Sequence, residues 1–209
     1  MGRLHLAGNV AADMTRNRGK NAYERRKVMN SLRGRALVAS PYLGDPNFMR
    51  TVVYMLQHTD DGALGLVLNR PTDSTVGDRF EQLIDRQVHC QAPLYRGGPV
   101  DGPLVMLHQL GEEPDAVYIE TDYPKMLEIC SDGLQDENRY RVFEGYSGWA
   151  GGQLEAELAD GGWLIWDLEP EEVFRPDDTI WQFAVRQIGR EILSAGIPVT
   201  RIPENPADN

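Results

Sequence analysis

The chain is poor in the residues from which most active sites are assembled. It has two cysteines, Cys90 and Cys130, and four histidines, His5, His58, His89 and His108, among 209 residues. Neither cysteine has a paired thiol or a histidine pair at metal-ligand spacing, so no zinc site is encoded. Two cysteines forty positions apart suit a reducing compartment, each as a small buried hydrophobe rather than half of a bridge. No apolar run approaches the ~20 residues of a membrane span. The N-terminus lacks the apolar region and small-residue cleavage site of a secretory signal, and Leu6 stands where a myristoylation motif needs Ser or Thr. These absences predict a cytoplasmic protein without membrane contact.

Basic charge is scarce in the body of the chain. Residues 1–35 hold nine Lys or Arg against two acids, whereas positions 36–209 hold twelve against thirty, so the total of −11 divides into about +7 and −18. An acidic body repels polyphosphate and lacks the driving force for nucleic-acid binding through its general surface. Nucleic-acid contact is therefore expected only through the basic arm of Arg16, Arg18, Lys20, Arg25, Arg26 and Lys27, although a short basic tail is more often solvated than bound. The arm could also fold over its own acidic body.

What remains is an ordinary globular composition, 41% apolar and 25% charged, and a length that suits one domain. The expected organisation is a basic extension over 1–32, with a short helix over 21–32, one domain over 33–200 and a frayed tail over 201–209. Strands are predicted at 35–40, 51–57, 63–68, 94–96, 104–110, 116–119, 140–143 and 163–166. The run Thr51-Val-Val-Tyr-Met-Leu-Gln57 is nearly continuous in apolarity, as in a strand covered on both faces, and the His58–Gly62 turn makes it one arm of a hairpin. Val76, Phe80, Leu83 and Ile84 recur at helical spacing after a cap at Asp73 or Ser74. Further helices are expected at 124–130, 151–158 and 179–193, the last ended by Gly196 and Pro198. Gly97–Pro103 reads as a stiff loop interrupting the strands on either side. Hairpins interrupted by helices indicate an α+β fold rather than a parallel doubly wound sheet.

Candidate chemistry is sparse. Gly145-Tyr-Ser-Gly-Trp149 lacks the last glycine of a nucleophile elbow and reads as a turn. No catalytic set is expected. Neither a P-loop nor a dinucleotide glycine pattern is present, so no cofactor is expected. Gly148, Gly151 and Gly152 precede a helix whose free N–H groups could hold an anion, and Gln153 and Glu155 suit its first turn. His58, Asp60 and Asp61 need no metal to explain them, because Asp-Asp-Gly is a turn sequence. Arg70 and Arg96 beside turns could bind an anion bidentately, with an intramolecular carboxylate the commoner partner. Trp149, Trp163, Trp166 and Trp181 lie among Glu157, Asp160, Asp167 and Glu169, which disfavours nucleobase stacking and favours core packing.

Several motifs in order, Leu37-Val-Ala-Ser-Pro41, Asp45-Pro46-x-Phe48, Val52-Val53, His58, Gly62-Ala63-x-Gly65-Leu66-x-x-Asn69-x-Pro71, Gly97-Gly98-Pro99-Val100 and Gly145-Tyr146-Ser147-Gly148-Trp149-x-x-Gly152-Gln153-Leu154-Glu155, resemble the AlgH/YqgE family of bacterial proteins from about Arg33 to about Leu193. The resemblance implies an α+β domain with a bent mixed or antiparallel sheet curling toward a partial barrel, flanked by helices. It also implies a proposed role in transcriptional control, and it brings no catalytic residues. About thirty residues before Arg33 lie outside it. Two functions stay open: a non-catalytic regulatory or binding module with a protein or nucleic-acid partner, and a small-anion binder or enzyme using a pocket near His58, Asn69, Arg70, Gly97, Gly98 and Gly152.

Overall fold

The computed structural model describes residues 31–85, 87–113, 115–131 and 139–196. The predicted helix over 21–32, the basic arm and the C-terminal tail lie outside them, apart from Ser31 and Leu32, which are not helical. The chain orders as β1 (Ala36–Ala39), β2 (Val52–Thr59), β3 (Gly62–Val67), β4 (Pro71–Thr75), α1 (Val76–Ile84), β5 (Pro93–Arg96), β6 (Val100–His108), β7 (Tyr118–Glu120), α2 (Tyr123–Ser131), β8 (Tyr140–Ala150), α3 (Gln153–Ala159), β9 (Trp163–Trp166), a 3-10 turn (Pro170–Phe174) and α4 (Asp177–Gly196). The strands form one open, mixed sheet in the order β4-β5-β8-β3-β2-β1-β9, with β6 on β8 and β7 on β6. All pairings are antiparallel except β5 with β8. The α+β expectation holds. Among the described residues no helix is long and apolar enough to cross a membrane.

Side-chain alternation builds the two-sided core. Ala36, Val38, Val52, Tyr54, Leu56, Leu66 and Leu68 face α4, where Ile180, Ala184 and Ile188 cover them. Their neighbours Leu37, Ala39, Val53, Met55 and Val67 face the other way, against Trp149, Leu154 and Trp163. Because successive strand residues point to opposite faces, an unbroken apolar run is what a strand buried on both sides requires. Burial also pushes the Tyr54 phenol up to about 12. A third cluster packs α1 and α2 on the far end of the sheet through Phe80, Met106 and Met126, with both cysteines buried in it and Cys90 Sγ 3.6 Å from the Tyr140 hydroxyl.

Four expectations need correction. Gly145–Trp149 is not a turn but the second half of β8, which pairs with β5 and β6 along Tyr140–Tyr146 and with β3 along Ser147–Ala150. Gly145 makes that change of partner possible. Its φ is +71°, and a Cβ there would meet the Val100 carbonyl at 2.6 Å. Gly102 and Pro103 do not interrupt β6, because they sit where its register against β8 shifts between Val100 and Leu104 and no regular ladder bond is needed. The cap of α1 is Thr75, not Asp73 or Ser74. Its hydroxyl accepts from Asp78 N–H at 3.1 Å, the Asp78 carboxylate accepts from Thr75 N–H at 2.9 Å, and these bonds lower the Asp78 pKa. Finally, Leu83 and Ile84 are exposed, so only Val76, Gly77 and Phe80 of α1 are buried.

Candidate functional site

One cleft stands out on the described surface, with a volume of about 650 Å³, within the range of small-ligand sites. Four segments line it: the β1–β2 loop (Tyr42 to Phe48), the end of β8 (Gly148, Trp149) with Pro99, the α3 residues Gln153 and Glu157, and the turn Asp160–Gly162 leading into Trp163.

Aromatic rings make its floor. Phe48 stacks on Trp149 with centroids 6.1 Å apart and meets Trp163 edge-on at 5.3 Å, while the two indoles lie edge to face at 6.0 Å. Both tryptophans are buried, whereas Tyr42 at the rim is 95% exposed. A single carboxylate orients the indoles. Glu157 Oε2 accepts from Trp149 Nε1 at 3.0 Å and from Trp163 Nε1 at 2.8 Å, and Oε1 accepts from the Gln153 amide at 2.9 Å. Spacing explains why one residue does all this. Gln153 and Glu157 are one helical turn apart on α3, and Trp149 and Trp163 stand just before and just after that helix.

The loop that brings in Phe48 is shaped by its own sequence. Asp45 Oδ1 accepts from Asn47 N–H at 2.8 Å, and its carbonyl accepts from Phe48 and Met49 N–H at 3.0 and 2.7 Å, an Asx turn suited to Asp-Pro. Thr51 closes the loop with a hydroxyl bond to the Phe48 carbonyl at 2.7 Å.

The residues expected from the sequence to form a pocket, His58, Asn69, Arg70, Gly97, Gly98 and Gly152, do not line this cleft. Asn69 holds the far end of the loop: its Oδ1 accepts from Val52 N–H at 3.0 Å and its amide donates to the Arg50 carbonyl at 2.9 Å. Arg70 donates to the Met49 carbonyl at 2.7 Å, so its partner is main chain rather than a carboxylate. His58 lies at the opposite end of the β2–β3 pair from Asn69, as the registers His58↔Ala63 and Val53↔Val67 show. The His58 Nδ1 accepts from Leu32 N–H at 3.1 Å, which leaves the ring proton on Nε2, 2.8 Å from Glu155 of α3. That bond lowers the Glu155 pKa. The Gly97 carbonyl accepts from Val67 N–H and from the buried Ser147 hydroxyl at 2.9 and 3.1 Å, and Gly98 runs tightly against Tyr146, delivering Pro99 to the cleft wall. Gly152, with φ +79°, is the N-cap of the seven-residue α3. His58 and the Asn69-Arg70 pair therefore do not meet in one pocket.

Sequence reasoning placed Trp149 and Trp163 correctly in the core but missed that their edges, with Tyr42, Asp45, Phe48, Glu157 and Asp160, enclose a cleft. The readable signal was the aromatic residues alternating with acids. Against nucleobases that mixture is unfavourable; toward a cation it is favourable.

Comparison with known proteins agrees with the fold. A family model described as AlgH-like matches residues 36–193. A UPF0301 protein of Ruegeria pomeroyi is 35% identical over 173 residues, covering 78% of this chain and 94% of its own. A UPF0301 protein of Vibrio vulnificus is 37% identical over 172 residues, covering 73% and 89%. The solution structure of the AlgH protein from Pseudomonas aeruginosa superposes with a TM-score of 0.60 at 28% identity, covering 84% of this chain and 96% of that one. A crystal structure from Corynebacterium diphtheriae, at 22% identity and a TM-score of 0.57, covering 74% and 86%, shares the fold. By the extent of the family match and these identities, the chain belongs to the AlgH-like family.

Proposed function

We propose that this protein is a non-catalytic binding module whose site is the aromatic and acidic cleft. The supporting observation is how its polar groups are used. Asn69, Arg70, His58, Ser147 and Glu157 all spend their hydrogen bonds on shaping the walls, by main-chain carbonyls, N–H groups and neighbouring side chains. Among the described residues the lining holds no Ser, Thr, Cys, His or Lys, so its acid–base candidates are Tyr42 and the carboxylates Asp45, Glu157 and Asp160. Glu157 is already committed to three neutral donors, an arrangement for holding shape rather than for moving protons. On the same reading, nucleic-acid contact in a regulatory role belongs to the basic arm of residues 1–32, because the acidic body repels phosphate.

The test is a two-dimensional NMR screen of the full chain against cationic, neutral and anionic fragments. Saturable shifts confined to the Trp149 and Trp163 indole signals and the 42–48 and 160–162 amides support a binding site there. Shifts confined instead to residues around His58 or Asn69, or steady turnover of any fragment, would overturn it.

A further inference from the structure

We infer that the cleft recognises an organic cation, a guanidinium or ammonium group presented by a basic peptide segment. This rests on the cleft being the binding site.

Charge gives the first argument. Asp45, Glu157 and Asp160 line the cleft, and no Lys, Arg or His does so among the described residues. None of the ion pairs between described residues involves any of the three. Glu157 accepts hydrogen bonds only from neutral groups, so its negative charge is held in place without being cancelled. Two indoles donating to one carboxylate are polarised by it, which enriches their rings in electron density and strengthens their attraction for a cation. A phosphate or carboxylate ligand would meet the same three charges as repulsion.

The second argument comes from what this chain does elsewhere with rings and carboxylates. Arg141 stands over the Tyr95 ring at 4.9 Å and pairs with Asp177 at 3.3 Å, while Tyr95 donates its hydroxyl to the same Asp177 at 3.1 Å. Arg175 covers Phe183 at 3.6 Å, and Arg50 lies 5.8 Å from the Trp181 ring. Around the cleft aromatic rings and carboxylates are again assembled, with the Tyr42 ring 95% exposed at the rim, and the guanidinium has to come from outside the lining. A planar guanidinium can lie against a ring while its N–H groups meet a carboxylate edge, a match that a neutral sugar or an anion does not offer.

The experiment titrates the full chain with acetyl-(Arg)4-amide and reads the Trp149 and Trp163 indole signals. The expected result is saturable binding that weakens about tenfold in the Asp45→Asn/Asp160→Asn variant, as removal of two solvent-exposed charge pairs implies. Glu112→Gln/Asp115→Asn, which removes equal charge from the β6–β7 loop, should leave the affinity unchanged. Arginine amide as a separate arm distinguishes a free cation from a peptide: equal affinity assigns the site to a free cation, and tighter peptide binding assigns it to a segment. A full chain with Arg16, Arg18, Lys20, Arg25, Arg26 and Lys27 all changed to Gln tests the protein's own arm as the source, which tighter probe binding would identify. Equal shifts with acetyl-(Glu)4-amide, or equal weakening by the two double variants, would overturn the inference. Saturation by a neutral sugar alone would sink the cation and leave the cleft as a binding site; silence toward every probe would sink both.

Discussion

Two carboxylates in this molecule hold aromatic residues in place, and they do so with opposite electrostatic outcomes. Asp177, at the start of α4, is closed on itself: Arg141, buried in β8, pairs with it, and the same guanidinium donates to the Leu68 and Arg175 carbonyls at 2.8 and 2.6 Å. Burial raises the Asp177 pKa, against the pull of Arg141 and the Tyr95 hydroxyl. Glu157 has three neutral donors where Asp177 has one, the Tyr95 hydroxyl, and among the described residues no cation pairs with it, and it borders open space. The first arrangement fastens a helix to the sheet. The second leaves a field at the surface, because none of the ion pairs between described residues involves Glu157.

Breaking the closed site should have the largest effect. Arg141→Met leaves the half-buried Asp177, its side chain 26% exposed, with no charge partner and two main-chain carbonyls without this donor, a class of change that costs up to about 3–5 kcal/mol. Urea unfolding should show that loss, and adding Asp177→Leu should restore at least half of it, because the pair is then replaced by apolar packing. If the single variant is as stable as the parent, Arg141 does not act as the fastener.

The open site should respond less and in two separable ways. Glu157→Ala strands two indole N–H groups in part-buried positions, worth about 1–3 kcal/mol in thermal unfolding. Glu157→Gln keeps an acceptor oxygen, so it should hold most of the stability while weakening binding of a cationic probe. Equal stability losses in the two variants would mean that the charge itself, rather than the hydrogen bonds, holds the indoles.

The sequence made the frame of this cleft readable and hid its lining, for a physical reason. Asn69-x-Pro71, Gly97-Gly98-Pro99 and Asp45-Pro46 announce themselves because bending a main chain demands particular residues at particular positions. Trp163 and Trp149 announce only that they are large and apolar, and whether a buried ring shows an edge to solvent depends on what packs beside it. The same limit explains β4. Pro-Thr-Asp-Ser-Thr has no alternation and is mostly exposed, and it is a strand only because its ends pair with Tyr95 and Pro93 at the edge of the sheet. Gly145 misled in the other direction, since a left-handed glycine usually marks a turn and here marks a strand changing partners. Removing a brace tests this division between frame and lining. Asn69→Ala leaves Val52 N–H without its acceptor and should cost about 1–2 kcal/mol, with the amide signals of the 42–48 loop shifting although Asn69 touches none of the cleft. Unchanged loop signals would detach Asn69 from the site.

The smallest effect belongs to the other brace, and its sign follows from Glu155. The His58 bond lowers the Glu155 pKa, so the folded state gains from an ionised Glu155 above the ordinary carboxylate range. That gain disappears as pH falls through the lowered folded value. The Glu155 side chain is 54% exposed, which confines the contribution to under about 1 kcal/mol. Glu155→Gln should be less stable than the parent by under about 1 kcal/mol at neutral pH and converge with it as the pH falls, which flattens the acid limb of a stability–pH curve measured by denaturant unfolding. A limb as steep as the parent's would show that His58 orients α3 without any charge contribution, making this brace a purely geometric one like Asn69.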